Sequence, residues 1–153
     1  MDLHAAGAYR RTRAQRASPW LSWSRPDRAF FASGACHILA WTCRELHPSE
    51  PIGIAALRAT GAEQVFHAFA TWGAWAFDHS GWHPADALVG VNQDFAGHAI
   101  ERVEITTDLA TFCRQHRHRM PHQYHDDPRP RARDYVRRFE PPWPAATAGE
   151  HDR

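Results

Sequence analysis

The chain has 153 residues, a formal net charge of +1 and a hydrophobic fraction of 43% that includes seven Trp and eight Phe. This length favours one ordinary domain with a real core rather than two domains. No apolar run approaches the roughly 18 residues that a membrane-spanning helix needs, and the N-terminus lacks the apolar stretch of a secretory signal. The small net charge does not by itself indicate nucleic-acid binding. We therefore expect a cytoplasmic protein that does not associate with membranes.

The three cysteines have no paired spacing, so they do not predict a disulfide framework. Cys36, Cys43 and Cys113 are expected as free thiols, which suits a reducing compartment. All 18 basic residues are Arg, and no Lys is present. No lysine of this chain can therefore form a Schiff base or accept an isopeptide bond.

Composition divides the chain into four parts. Residues 1–26 are rich in Arg, are interrupted by Pro and predict a flexible arm. Residues 27–120 carry the spacings of a single α+β domain. Residues 121–139 are rich in Arg, His and Pro, and we expect a short helix near their end. Residues 140–153 are rich in Pro, Ala and Gly and predict a disordered tail.

Within the predicted domain, helical spacing alternates with runs of aromatic and β-branched residues. The helix predicted over 35–46 has Cys36 in its first turn, Ser33 as its expected N-cap and Pro48 just beyond its end. The other predicted elements are strands over 52–58, 64–72, 75–79 and 100–106, and helices over 84–92, 108–118 and 131–139.

Cys36 is the candidate nucleophile. A helix N-terminus lowers the pKa of a thiol because its free N–H groups and the helix dipole favour the anion. Gly34 and Ala35 are small enough to leave room for a substrate backbone, and the Cys36 N–H is available to an oxyanion. The alternative for Cys36 is an inert, buried thiol, which is what we expect of Cys43 and Cys113.

A base and its orienting carboxylate are predicted on the hairpin that follows. The Gly-Ala dipeptide at 73–74 is typical of a two-residue type II′ turn. This turn places His67 and Asp78 as diagonal neighbours on one face of the sheet, about 7–8 Å apart. A turn longer or shorter by one residue puts them on opposite faces, and Asn92 and Asp94 are then the alternative orienting residues.

The order of these groups resembles papain-like and transglutaminase-like cysteine hydrolases, in which Cys opens a helix, His lies on a following strand and Asp or Asn lies on the next strand. The matching segments are 33–37, 65–69 and 75–81. The resemblance implies an α+β core in which the helix that carries Cys36 packs on a small antiparallel sheet. It differs from the papain pattern because no Gln shortly precedes Cys36 and no second lobe is evident.

The resemblance implies a cysteine-dependent hydrolase or acyl transferase, such as a protease, a deamidase or a transglutaminase-like enzyme. Cys36 would attack an amide, ester or thioester carbonyl, and His67 would accept the thiol proton and later protonate the leaving group. Asp78 would orient His67 and stabilise its charged form. The expected partner is a peptide or protein substrate, and this chemistry requires neither a cofactor nor a metal.

Two other interpretations stay open. The Arg-rich ends suit an acidic partner or nucleic acid, which would make the chain a non-catalytic binding or adaptor protein on the same fold. The segment 114–138 offers imidazole and carboxylate ligands to zinc or another divalent ion, although the interleaved Arg residues would repel a cation. These ligands are His116, His118, His122, His125, Asp126 and Asp127. Of the remaining histidines, His37 is expected to pack beside the site, and His79 is expected on the outside, opposite Asp78.

Overall fold

The computed structural model describes residues 2–145, and its central element is an antiparallel sheet of five strands. The strands are β1 (Gly53–Ala59), β2 (His67–Trp72), β3 (Trp75–Asp78), β4 (Gly81–Pro84) and β5 (Ile100–Ile105). Their order across the sheet is β4-β3-β2-β1-β5. The first four strands thus form a meander, and β5 returns to pair with β1. The fold is α+β, as predicted.

Seven α-helices accompany the sheet within residues 2–145. They are α1 (Arg13–Ala17), α2 (Pro19–Trp23), α3 (Asp27–Ala32), α4 (Cys36–Leu46), α5 (Ala85–Ala96), α6 (Leu109–His116) and α7 (Pro128–Val136). Short 3-10 helices cover Ala6–Tyr9 and Pro121–Gln123. None of the helices in this part of the chain combines the length and the apolar character that crossing a bilayer requires.

The sheet separates two hydrophobic clusters. Ala68 and Phe77 belong to the larger cluster, which also holds the buried residues of α4 and α7. Phe69 and Ala76 belong to the smaller cluster, together with Leu88 of α5. This division follows from the alternation of side chains along each strand. Helix α4 packs on β2 and α7 packs on α4, so the start of α4 lies between the sheet and the C-terminal helix.

The β2–β3 hairpin has the predicted register. Trp72 pairs with Trp75 across the two-residue turn, and the strands continue antiparallel from there. Gly73 has a φ of 54°, the positive value that a type II′ turn requires at its first central position. The prediction of the turn at 73–74 is therefore confirmed.

The predicted helices and strands of the domain are present, with some shifts at their ends. Helix α5 runs past its predicted end to Ala96, where Gly97 adopts the left-handed conformation with a φ of 69°. Helix α6 is capped by Asp108, whose side chain accepts a hydrogen bond from the Thr111 N–H. The helix therefore begins one residue later than the predicted range 108–118.

The N-terminal segment, predicted as an arm, contains α1 and α2 and contacts the domain. Ser22 is buried, and the His4 N–H donates to the Ser80 hydroxyl at 3.0 Å. The Ala6 N–H donates to the Asn92 side chain at 3.1 Å. Asn92, the alternative orienting residue, thus holds this segment against α5 rather than holding a catalytic histidine.

The predicted tail is described as far as residue 145. Trp143 packs against Trp72 and Trp82, with ring centroids 5.4 Å apart in both pairs. Residues 146–153, which complete the predicted disordered tail, lie outside the described residues.

Gly81, in the turn that follows Asp78, is a position at which any side chain should lower the stability of the fold. It has a φ of 89°, and a Cβ at this position would lie 2.6 Å from the Phe139 ring. A side chain there is disfavoured by the strain of a left-handed backbone conformation and by overlap with the Phe139 ring. We expect Gly81→Ala to lower the free energy of unfolding by about 2–4 kcal/mol, measured by urea denaturation.

Gly61→Ala is the matched control for this substitution. Gly61 has a φ of 85° but no heavy atom lies within 4 Å of its Cβ position among the described residues, so only the left-handed strain of about 1–2 kcal/mol applies. Equal losses in the two variants would contradict the proposed contact between Gly81 and Phe139.

Candidate active site

Cys36 is the first residue of α4 and is buried, with 4% of its surface exposed. Ala35 occupies the N-cap position and provides no side-chain cap, so Ser33, which ends α3, was wrongly predicted as the cap. The N–H groups at the start of the helix therefore remain available to an anion. The Cys36 sulfur accepts a hydrogen bond from the Ala68 N–H at 3.4 Å, which fixes it beside strand β2.

His67 and Asp78 are brought together by the hairpin. His67 Nε2 lies 2.9 Å from Asp78 Oδ2, and both side chains are buried. The second Asp78 oxygen accepts the Ser80 N–H at 2.8 Å. Burial raises the pKa of Asp78, but His79, His67 and the Ser80 N–H together lower it below its ordinary value. Asp78 is therefore a buried carboxylate that holds His67 in one orientation.

The surroundings of Cys36 and His67 shift both pKa values toward a charged pair, a thiolate with an imidazolium. Burial raises the pKa of the Cys36 thiol, but the neighbouring imidazoles of His118, His37 and His67 and the charge of His67 lower it well below its ordinary value. Burial lowers the pKa of His67, but hydrogen bonds and charges from Asp78 and Cys36 raise it to about 9. Both shifts favour the charged forms of the two groups.

The two nitrogens of His67 have different surroundings. Because Nε2 bonds to Asp78, the other ring nitrogen, Nδ1, is left for Cys36. Nδ1 is buried. One nitrogen of His67 is thus bonded to the Asp78 carboxylate, and the other has no hydrogen-bond partner of standard geometry among the described residues.

His118 also contacts Cys36, although the sequence placed it in a separate His-rich cluster. Helix α6 ends at His116, the C-cap residue Arg117 has a φ of 55°, and the His118 N–H donates back to the Cys113 carbonyl at 3.0 Å. This reversal directs the chain toward the start of α4. A left-handed Arg has no clear sequence signal, so the approach of His118 to Cys36 was not predictable from spacing.

His37 lies beside Cys36, as its position in the sequence indicates. Its Nε2 lies 2.7 Å from the Arg119 carbonyl, and its ring is tilted against Phe112 with centroids 5.9 Å apart. This packing accords with the expectation that His37 supports the site.

His79 was wrongly expected on the outside. It is fully buried, its Nε2 lies 2.8 Å from the His4 carbonyl and its Nδ1 lies 3.4 Å from Asp78 Oδ2. It lies in the turn after β3, where side chains no longer alternate between faces. The N-terminal segment covers it, and the residue pattern of one strand does not predict that a distant segment packs over that strand.

The alternative metal site in the segment 114–138 does not assemble among the described residues. Within residues 2–145, two groups of His, Cys, Asp or Glu have the spacing of metal ligands, and neither contains His122, His125 or Asp126. Asp127 instead caps α7 and pairs with Arg129. The two groups that do assemble are Cys36 with His37 and His118, and His67 with Asp78 and His79.

Two arginines lie beside the site without an acidic partner. A Cβ built on Gly34 would lie 3.2 Å from Arg11 Cζ, which places this guanidinium next to the loop before Cys36. Nε and Nη1 of Arg11 and Nη1 of Arg119 are buried and lack a hydrogen-bond partner in the described part of the chain. No carboxylate there lies within 4.0 Å of either guanidinium. Arg119 Nη2 donates to the Arg16 carbonyl at 3.0 Å, but guanidinium groups without a carboxylate partner suit an anionic group on a bound partner.

Comparisons with protein-family models, with curated proteins and with solved structures find no match. The function is therefore inferred from the geometry of the site.

The charged pair makes a testable prediction about thiol reactivity. Cys36, Cys43 and Cys113 are similarly buried, but burial raises the pKa of Cys43 to about 12 and that of Cys113 to about 11. In the presence of a chelator, we expect iodoacetamide at about pH 6 to label Cys36 in preference to the other two thiols, because an ordinary thiol titrates near 8.5. Peptide mass spectrometry measures the labelling.

Asp78→Asn tests the source of this reactivity. The substitution removes the charge that stabilises the His67 imidazolium, so we expect Cys36 labelling at about pH 6 to fall by at least about 10-fold, equivalent to one pKa unit. Asp86→Asn, at an exposed position in the first turn of α5, is the matched control. Labelling of Cys36 no faster than Cys43 would contradict the charged pair.

Proposed function

We propose that the chain is a cysteine-dependent hydrolase or acyl transferase that acts through Cys36, His67 and Asp78. The observation that carries the proposal is the 2.9 Å contact between His67 and Asp78 beside a thiol at a helix start. A buried imidazole with one nitrogen on a carboxylate and the other left for a thiolate is costly to build for packing alone. Perturbed groups of this kind concentrate at catalytic sites.

The proposed core is papain-like or transglutaminase-like. In support, α4 carries Cys36 at its start and packs on β2, which carries His67, and the next strand carries Asp78. The sheet is antiparallel, as the resemblance implies. The chain order Cys, His, Asp agrees with that superfamily.

The first half of the reaction forms an acyl-enzyme. The Cys36 thiolate attacks the substrate carbonyl carbon, and the oxyanion that forms accepts the free Cys36 N–H at the start of α4. The His67 imidazolium donates its proton to the leaving amine, alcohol or thiol as the bond between that group and the carbonyl carbon breaks. The products of this half are a Cys36 thioester and neutral His67, which Asp78 keeps in place.

The second half releases the acyl group. Neutral His67 accepts a proton from water, in a hydrolase, or from an amine, in a transferase. The resulting nucleophile attacks the thioester carbonyl, and the Cys36 thiolate leaves. The thiolate and the imidazolium are both restored. Because hydrolysis and acyl transfer differ only in the second nucleophile, the three groups support either outcome.

Substrate entry requires the residues that cover the site to move. Cys36 is 4% exposed and His67 is fully buried. Tyr124 donates a hydrogen bond to the Gly34 carbonyl and Arg11 lies against the same glycine, so both shield the nucleophile. Neither residue belongs to the sheet or to α4, so opening need not disturb the triad.

An activated ester tests the acyl transfer step without knowledge of the natural substrate. With metal-free protein, we expect p-nitrophenyl acetate to acetylate Cys36, seen as one acetyl group on its peptide by mass spectrometry. We expect His67→Ala to slow this acetylation by about 10²–10⁴-fold, the usual contribution of a general acid–base. His122→Ala, an exposed histidine outside the site, is the matched control.

Circular dichroism of each variant checks that the fold is retained. Acetylation that is equally slow at Cys36, Cys43 and Cys113 would contradict catalysis, and so would a rate unaffected by His67→Ala. A non-catalytic protein that binds acidic partners through its Arg-rich ends would then be the remaining prediction from the sequence.

A further inference from the structure

The triad leaves two histidines at Cys36 unexplained. His37 Nε2 lies 2.7 Å from the Arg119 carbonyl, and a carbonyl oxygen can only accept, so Nε2 carries the proton. The neutral ring then has a lone pair on Nδ1. This Nδ1 is buried and has no hydrogen-bond partner in the described residues. A buried acceptor of this kind requires a proton donor or a cation.

His118 is held in a similar way. Its Nδ1 lies 2.9 Å from the His116 carbonyl, so Nδ1 carries a proton and donates it. The other nitrogen, Nε2, is left for the thiol of Cys36. The two rings meet edge to face, with centroids 4.8 Å apart. Both histidines are thus anchored through their far nitrogens by backbone carbonyls.

Three electron-pair donors converge as a result. One ligand atom each from Cys36, His37 and His118 lies within 4.8 Å of the other two. A thiolate and two imidazole lone pairs repel one another unless a proton or a cation lies between them. His67 supplies a proton to the thiolate, but it does not satisfy the buried His37 Nδ1.

We propose that Cys36, His37 and His118 form a zinc site. Thiolate and imidazole are the ligands that Zn²⁺ takes in proteins, with bonds of about 2.0–2.3 Å that place ligand atoms about 3.5 Å apart in a tetrahedron. The ligand atoms therefore need to approach one another by at most about 1.3 Å, the difference between 4.8 Å and about 3.5 Å. Histidines that bind zinc usually donate their other N–H to a carbonyl or carboxylate, as His37 and His118 do here.

Zinc at this site makes the thiolate unavailable for attack. The lone pair that Cys36 uses against a carbonyl carbon is then bound to the metal, so zinc is a reversible inhibitor of the acyl transfer. This consequence rests on the proposed function, whereas metal binding itself does not. The site is also distinct from the His-rich cluster predicted in the sequence, with which it shares only His118.

Cobalt and zinc titrations of the metal-free full-length chain test the proposal. Co²⁺ should give a thiolate-to-cobalt charge-transfer absorption and the intense visible bands of a four-coordinate ion. Zn²⁺, titrated in competition with a chromophoric chelator, should bind with a stoichiometry of one per chain. We expect Cys36→Ser to abolish the charge-transfer band, and His118→Ala to weaken zinc binding by about 10–100-fold or more.

Two substitutions are matched controls. Cys43→Ala removes a buried thiol with no histidine ligand, and His122→Ala removes an exposed histidine of the same segment as His118. Both should bind cobalt and zinc as the unchanged chain does. The absence of a charge-transfer band in the unchanged chain would overturn the zinc site. Zinc affinity that is unaltered by both Cys36→Ser and His118→Ala would also overturn it.

The outcomes separate the two proposals. Metal-free protein that is acetylated at Cys36 but binds no zinc would overturn the zinc site alone. Protein that binds zinc through Cys36 and His118 but is not acetylated when metal-free would overturn the catalytic function and leave the zinc site in place. Zinc that binds and slows the acetylation, with reversal by a chelator, is the result expected when both hold.

Discussion

A buried negative charge organises this molecule. Asp78 lies at the end of β3 with 2% of its surface exposed, and a buried carboxylate costs several kcal/mol unless it is paired. Its oxygens accept from His67 and from the Ser80 N–H. This contact raises the pKa of His67, and His118, His37 and the charge of His67 lower the pKa of the Cys36 thiol. The charges of Asp78, His67 and Cys36 alternate in sign. Their pairing depends on the register of the β2–β3 hairpin, on the turn after β3 and on the start of α4, because a shift in any of them leaves one charge unpaired.

The hairpin and the positions of Cys36, His67 and Asp78 were predictable from the sequence, because they depend on turn and helix patterns in nearby residues. The turn at 73–74 sets the register, and side-chain alternation then carries His67 and Asp78 to adjacent positions. The start of α4 follows from the helical spacing after Gly34, although the capping residue was misassigned. These features need no knowledge of distant parts of the chain.

The rest of the site depends on contacts that are distant in the sequence. His118 reaches Cys36 through a left-handed Arg117, and His79 is buried because the N-terminal segment lies over it. Residue spacing in the sequence predicts neither feature, because both depend on tertiary packing. The segment 1–26 has the composition of a flexible arm, yet Arg11 lies against Gly34. The sequence therefore did not predict the residues that cover Cys36 or the additional histidines around it. It did predict the positions of Cys36, His67 and Asp78 on their helix and strands.

We expect Cys36 to be a thiolate because the imidazoles around it stabilise the anion, and Asp78 favours the charged form of one of them, His67. The most direct measurement is the ultraviolet thiolate absorbance of the metal-free chain as a function of pH, with Cys36→Ser as the reference. We predict that the difference signal is already present at about pH 6, far below the ordinary thiol value of about 8.5. A signal that develops only at or above that ordinary value would show a neutral, inert thiol and would contradict the account.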